Sequence, residues 1–77
     1  MNLKELVEYM ARTLVDDPSQ VQVNVSEGRG SIDVELRVGK EDMGRVIGKS
    51  GRIVNAMRTL VRVAAMREGK RASLEIV

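Results

Sequence analysis

The run Val46-Ile47-Gly48-Lys49-Ser50-Gly51-Arg52 constrains this chain more than any other segment. It sets a Gly-x-x-Gly turn, holding one basic and one small polar residue, between an apolar segment and a long helical pattern. Glycines at both ends let the backbone bend tightly and approach a ligand closely. Amide groups left free at the next helix start can face an anion. A phosphate backbone fits that arrangement, so nucleic acid is the first candidate partner.

The elements around the turn follow from periodicity. Leu3, Leu6, Val7, Met10 and Leu14 recur at three- and four-residue spacing and predict a helix, with Glu8 and Arg12 as a favourable pair on its other side. Asp16-Asp17-Pro18-Ser19 stops it, because proline disfavours helical geometry in the residue before it. The adjacent carboxylates read as loop formers rather than metal ligands. The period then changes to two. Val21, Val23 and Val25 form one alternating run, and Ile32, Val34, Leu36 and Val38 form another. With a glycine-containing reversal between them, they predict a β-hairpin with Arg29 at its tip.

Asp42 can cap a short helix carrying Met43, Val46 and Ile47, which Gly48 ends. Beyond the turn, Ile53, Met57, Leu60 and Ala64 form a second helical stripe, widened by Val54, Val61 and Val63 and stopped at Gly69. Ala72, Leu74 and Ile76 give a last strand. The order is α-β-β-α-α-β. Helices on one face of a three-stranded sheet are the economical arrangement for this α+β chain.

Charge supports a polyanion. Residues 1–43 hold 5 basic and 9 acidic side chains, a net of −4, whereas residues 44–77 hold 8 and 2, a net of +6. The positive half begins at the glycine turn. Other chemistries are poorly supplied. The chain has no cysteine and no histidine, which removes thiolate metal sites and the commonest proton shuttle. Asp33 and Glu35 share a strand face with Arg37, which reads as a solvated charge mixture rather than a catalytic pair. Gly48-Lys49-Ser50 resembles the end of a nucleotide-triphosphate loop, but the first glycine of that motif would fall on Met43. No stretch reaches the roughly 20 apolar residues of a membrane helix. The expectation is a non-enzymatic cytoplasmic protein with no metal and no cofactor.

Ile47-Gly48-Lys49-Ser50-Gly51-Arg52-Ile53 resembles the signature of a KH domain, the module that binds RNA and single-stranded DNA. The element order resembles the bacterial type II version. Over residues 2–77 the chain is similar to the small bacterial proteins made of a single KH domain. The resemblance implies one domain over residues 1–77, with a mixed three-stranded sheet packed on one face by three helices.

It also implies a site. Gly48, Lys49, Ser50 and Gly51 match the loop that runs against the backbone of about four nucleotides. Val46 and Ile47 match the end of the short helix beside the groove, and Arg52 and Ile53 match the first turn of the next helix. The strand Ile32–Val38, with Val34 and Leu36, matches the groove's far wall. Arg45 can flank the bound strand, and Arg29 and Arg58 are further candidate contacts. Arg52, Asn55, Arg58, Thr59 and Arg62 form a polar stripe along the long helix. Tyr9 is the sole aromatic, so base stacking contributes little and bases are read by aliphatic contacts and hydrogen bonds.

Single-stranded RNA is therefore the expected partner. The resemblance further implies a homodimer, or a heterodimer with a larger KH-containing RNA-binding protein. Such a protein would act as an RNA chaperone or regulator in small-RNA handling, cell division or envelope control. The alternative is a protein-interaction or dimerisation module within a larger RNA-binding complex.

Overall fold

Every third or fourth residue of the first segment is apolar, and Leu3, Val7 and Ala11 become the buried line of helix α1, Leu3–Leu14. The computed structural model describes residues 2–77. Asn2 caps α1, its Oδ1 accepting the Glu5 N–H at 2.8 Å. After Val15 the chain turns through a short 3₁₀ segment, Pro18–Gln20. Asp17 organises that turn: the side-chain amide of Gln20, and next Ser19, hold its carboxyl below the usual carboxylate range.

Strands β1 (Gln22–Gly28) and β2 (Ser31–Arg37) pair antiparallel, with Val23 opposite Leu36 and Val25 opposite Val34. Strand β3 (Arg71–Ile76) pairs parallel to β2, with Val34 opposite Leu74. The order β1-β2-β3 leaves β2 in the centre, hydrogen-bonded on both sides. A parallel neighbour needs a crossover connection. Helices α2 (Met43–Ile47) and α3 (Arg52–Met66) supply it. The mixed sheet with helices on one face is the type II KH arrangement.

The period of two sorts the sheet. Val23, Ile32, Val34, Leu36 and Leu74 are buried beneath the helices. Asn24, Asp33, Glu35, Ser73 and Glu75 are exposed on the other face, where Ser73 Oγ donates to Asp33 Oδ1 at 2.8 Å. Helix α1 packs on β1, α3 packs on β3, and the two helices pack on each other.

Helix α3 sits in a different rotational phase from the one its stripe suggests. Its buried residues are Val54, Met57, Val61 and Ala65. Leu60 is 52% exposed, and Val63 and Met66 also face solvent. A helix this rich in apolar residues satisfies three-and-four spacing in two adjacent phases. Packing against β3 and α1 selects one of them.

Asp42 also differs from expectation. It makes no side-chain cap on α2. Its carboxylate is buried and accepts the backbone N–H groups of Asp16 and Asp17, both at 3.1 Å. The chain between α1 and β1 is thereby tied to the start of α2.

Candidate nucleic-acid interface

Helix α2 ends because Gly48 leaves helical geometry, at φ 77° and ψ 172°. Ser50 follows at φ 57° and Gly51 at φ 74°. Three of the four loop residues thus sit at positive φ, a region costly for most side chains and open to glycine. The Gly51 N–H donates to the Gly48 carbonyl at 3.2 Å, closing the turn. Helix α3 starts directly afterwards, and no side chain caps its first turn. The Arg52 N–H donates to the Lys49 carbonyl, and no side chain competes with a ligand for the next amides of α3.

Lys49, Ser50 and Arg52 are exposed, and Ile47 is partly so. Neither Lys49 nor Arg52 forms an ion pair among the described residues. Their charge is free for a phosphate. Ile53 is half-buried against the core, beneath Gly48.

Three of the expected contacts are not at the surface. Val34, Leu36 and Val46 are fully buried, so their side chains are core and do not line a groove. Val46 instead anchors α2 beneath the loop. Arg45 is drawn to carboxylates: its Nη2 lies 3.0 Å from Asp16 Oδ2 and its Nε 3.5 Å from Asp42 Oδ1. It braces the α1–α2 junction, with 55% of its side chain still exposed.

Arg29 is exposed at the hairpin tip, whereas the chain leaves for the glycine loop from the opposite end of β2. Seven residues of extended strand separate those ends by about 20 Å. The structure does not bring Arg29 to the loop.

The strand facing α3 across an open cleft is not β2. Strand β2 is central, and the strand beside α3 is β3. A cleft of about 330 Å³ lies between them, lined by Asn55, Arg58 and Arg62 on one side and by Ala72–Glu75 on the other. The polar stripe of α3 thus forms one wall. Arg58 spans the cleft, its Nε donating to the Leu74 carbonyl at 3.1 Å. Alternation along the last strand signals a strand, but carries no information about which neighbour it takes; Ser73, Leu74 and Glu75 therefore escaped sequence reasoning.

Loop, short preceding helix, long following helix and mixed sheet together define a type II KH domain. The family model "KhpA/KhpB, KH domain" matches residues 4–76, and the chain belongs to that family. It is 55% identical over 73 residues to the RNA-binding protein KhpA of Caldanaerobacter subterraneus, covering 95% of this chain and 97% of the relative. It is 53% identical over 75 residues to KhpA of Clostridium perfringens, covering 97% and 100%. Among solved structures it resembles Era of Aquifex aeolicus bound to GDP.AlF4-, at a TM-score of 0.66 and 22% identity. It also resembles Era in complex with MgGDPNP and nucleotides 1506-1542 of 16S ribosomal RNA, at a TM-score of 0.64 and 23% identity. The chain spans 29% and 28% of those two chains, and the likeness concerns fold.

Proposed function

We propose that residues 1–77 act as one KH domain that binds single-stranded RNA without catalysis, in the cytoplasm, as an RNA chaperone or post-transcriptional regulator. The observation that carries the reading is the positive-φ loop Gly48–Gly51 opening onto an uncapped helix, with unpaired Lys49 and Arg52 on either side of Ser50. The RNA backbone runs over Gly48, Lys49, Ser50 and Gly51, with Ile47, Arg52 and Ile53 beside it. The bases enter the groove between α3 and β3. Relatives that carry the name RNA-binding protein over nearly the same length support the assignment.

Replacing Lys49 and Ser50 together by Asp places two negative charges where phosphate would lie. Ser50 sits at φ 57°, a conformation that Asp tolerates better than most residues, so the fold is kept. Fluorescence anisotropy with a short single-stranded RNA should show affinity falling by at least tenfold. Equal affinity of variant and parent would overturn the proposal.

A second reading, association with another KH-containing chain or with a second copy, is favoured by the exposed apolar face of α3. Leu60, Val63 and Met66 stand outside the core there. Pairing would join two short grooves and raise avidity.

A further inference from the structure

The groove wall formed by β3 carries an unusual donor and acceptor pattern. The N–H groups of Arg71 and Val77 donate to the Gly30 and Leu36 carbonyls, both at 2.9 Å, and so point towards β2. Backbone groups alternate along a strand. The N–H and C=O of Ala72, Leu74 and Ile76 therefore point to the free edge, into the groove. A bare edge would offer a base one donor and one acceptor at each of these residues.

Arg58 changes that at Leu74. Its Nε–H occupies the Leu74 carbonyl at 3.1 Å, and its Nη1 donates to Asn55 Oδ1 at 3.1 Å. Arginine has five N–H donors and no acceptor. Two are used here, and three remain on Nη1 and Nη2. These bonds take one lone pair of the Leu74 carbonyl and one of Asn55 Oδ1. Donors then predominate at this level: the Leu74 N–H, the open part of the Arg58 fork, the Asn55 amide hydrogens and Arg62 one turn further on. The side chains of Ser73 and Glu75 leave towards the opposite face, where the Ser73 hydroxyl is bound to Asp33. Counting along α3 at 1.5 Å per residue, Arg58 lies about 10 Å from the glycine loop, within reach of a base whose phosphate rests there.

We propose that Arg58 is a specificity-determining residue, selecting bases that present two neighbouring acceptors at the middle of the groove. Guanine offers O6 and N7, and cytosine offers O2 and N3. Adenine sets the N7 acceptor beside the N6 donor, a pattern suited to an Asn or Gln amide. Uracil sets each carbonyl beside the N3–H donor. The inference rests on the groove reading given under Proposed function and names the substrate class of that groove.

The test uses the whole chain and eight-nucleotide oligo(C), oligo(A) and oligo(U), with anisotropy read at one fixed salt concentration. The parent should bind oligo(C) at least fivefold more tightly than oligo(A) or oligo(U). Arg58→Gln should lower the C-to-A ratio at least fivefold, because its amide matches adenine. Arg58→Lys keeps the charge without the planar fork and should bring the ratio close to one. Thermal melts of both variants check the fold, and Arg58→Lys is the milder change. A parent without preference for oligo(C), or variants that weaken all three RNAs in equal proportion, would overturn the proposal. Variants that self-associate with an unchanged ratio would assign Arg58 to protection of the β3 edge instead. If the Lys49→Asp/Ser50→Asp protein binds all three RNAs as the parent does, the groove reading itself fails. If that protein loses binding while the ratios ignore Arg58, only the present inference fails.

Discussion

A Cβ atom on Gly48 would stand 2.6 Å from Cγ1 of Ile53 and 2.9 Å from its Cβ. Both separations are shorter than packed carbon atoms accept, and Ile53 is held against the core. Gly48 is also at φ 77°, whereas Gly51, at φ 74°, has nothing nearer to its Cβ position than the Asn55 side chain at 3.6 Å. The two glycines of the loop are thus required for different reasons. Gly48→Ala combines left-handed strain with overpacking and should cost about 2–4 kcal/mol. Gly51→Ala meets strain alone and should cost about 1–2 kcal/mol. Thermal unfolding should place Gly48→Ala clearly below Gly51→Ala, and equal melting temperatures would contradict the contact with Ile53.

Asp42 is the buried carboxylate that ties the chain after α1 to the start of α2. Asp42→Ala removes the acceptor of two part-buried amides and one partner of Arg45. The expected loss is about 2–4 kcal/mol in urea denaturation. Asp16→Ala breaks only the outer ion pair to Arg45, between side chains that are 76% and 55% exposed, and should cost less than about 1 kcal/mol. A smaller loss for Asp42→Ala than for Asp16→Ala would refute this ordering.

Phosphate contacts leave a signature in salt. For a single strand, each neutralised phosphate contributes about −0.7 to the slope of log affinity against log salt concentration. Lys49→Ala should flatten that slope by roughly this amount. Lys40→Ala should leave it unchanged, since Lys40 lies beside the acidic residues Asp16, Asp17, Glu41 and Asp42. The comparison is a titration of RNA binding at several potassium concentrations.

Leu60 offers a separation of fold from association. Because its side chain is half out of the core, Leu60→Glu should leave the melting temperature within a few degrees of the parent. If copies pair through α3, light scattering should show the parent as a dimer and the variant as a monomer. A parent that stays monomeric from micromolar to millimolar concentrations would remove the homodimer.

What the sequence determined by itself was local. The change from helical spacing to alternation placed α1, the hairpin, α3 and β3, because each pattern is set by the geometry of a single element. Gly48 and Gly51 announced a tight turn, and both rest at positive φ. Lys49 and Arg52 stood out by charge in a stretch otherwise apolar or small.

Tertiary structure decided what depends on distant partners. Val34 and Leu36 alternate as a wall strand would, yet β2 is central and both are core. Strand β3 took the place beside α3 because the crossover through α2 and α3 returned the chain parallel to β2 on its open side. Leu60 and Val61 are equally apolar neighbours, and only the packing of α3 on β3 and α1 buried one and exposed the other. Arg45 carries the same charge as Arg52, but Asp16, at a distance in sequence, claimed it together with the buried Asp42 one turn before it. Periodicity is a property of neighbours along the chain; edges, helix phase and ion pairing are settled by neighbours in space.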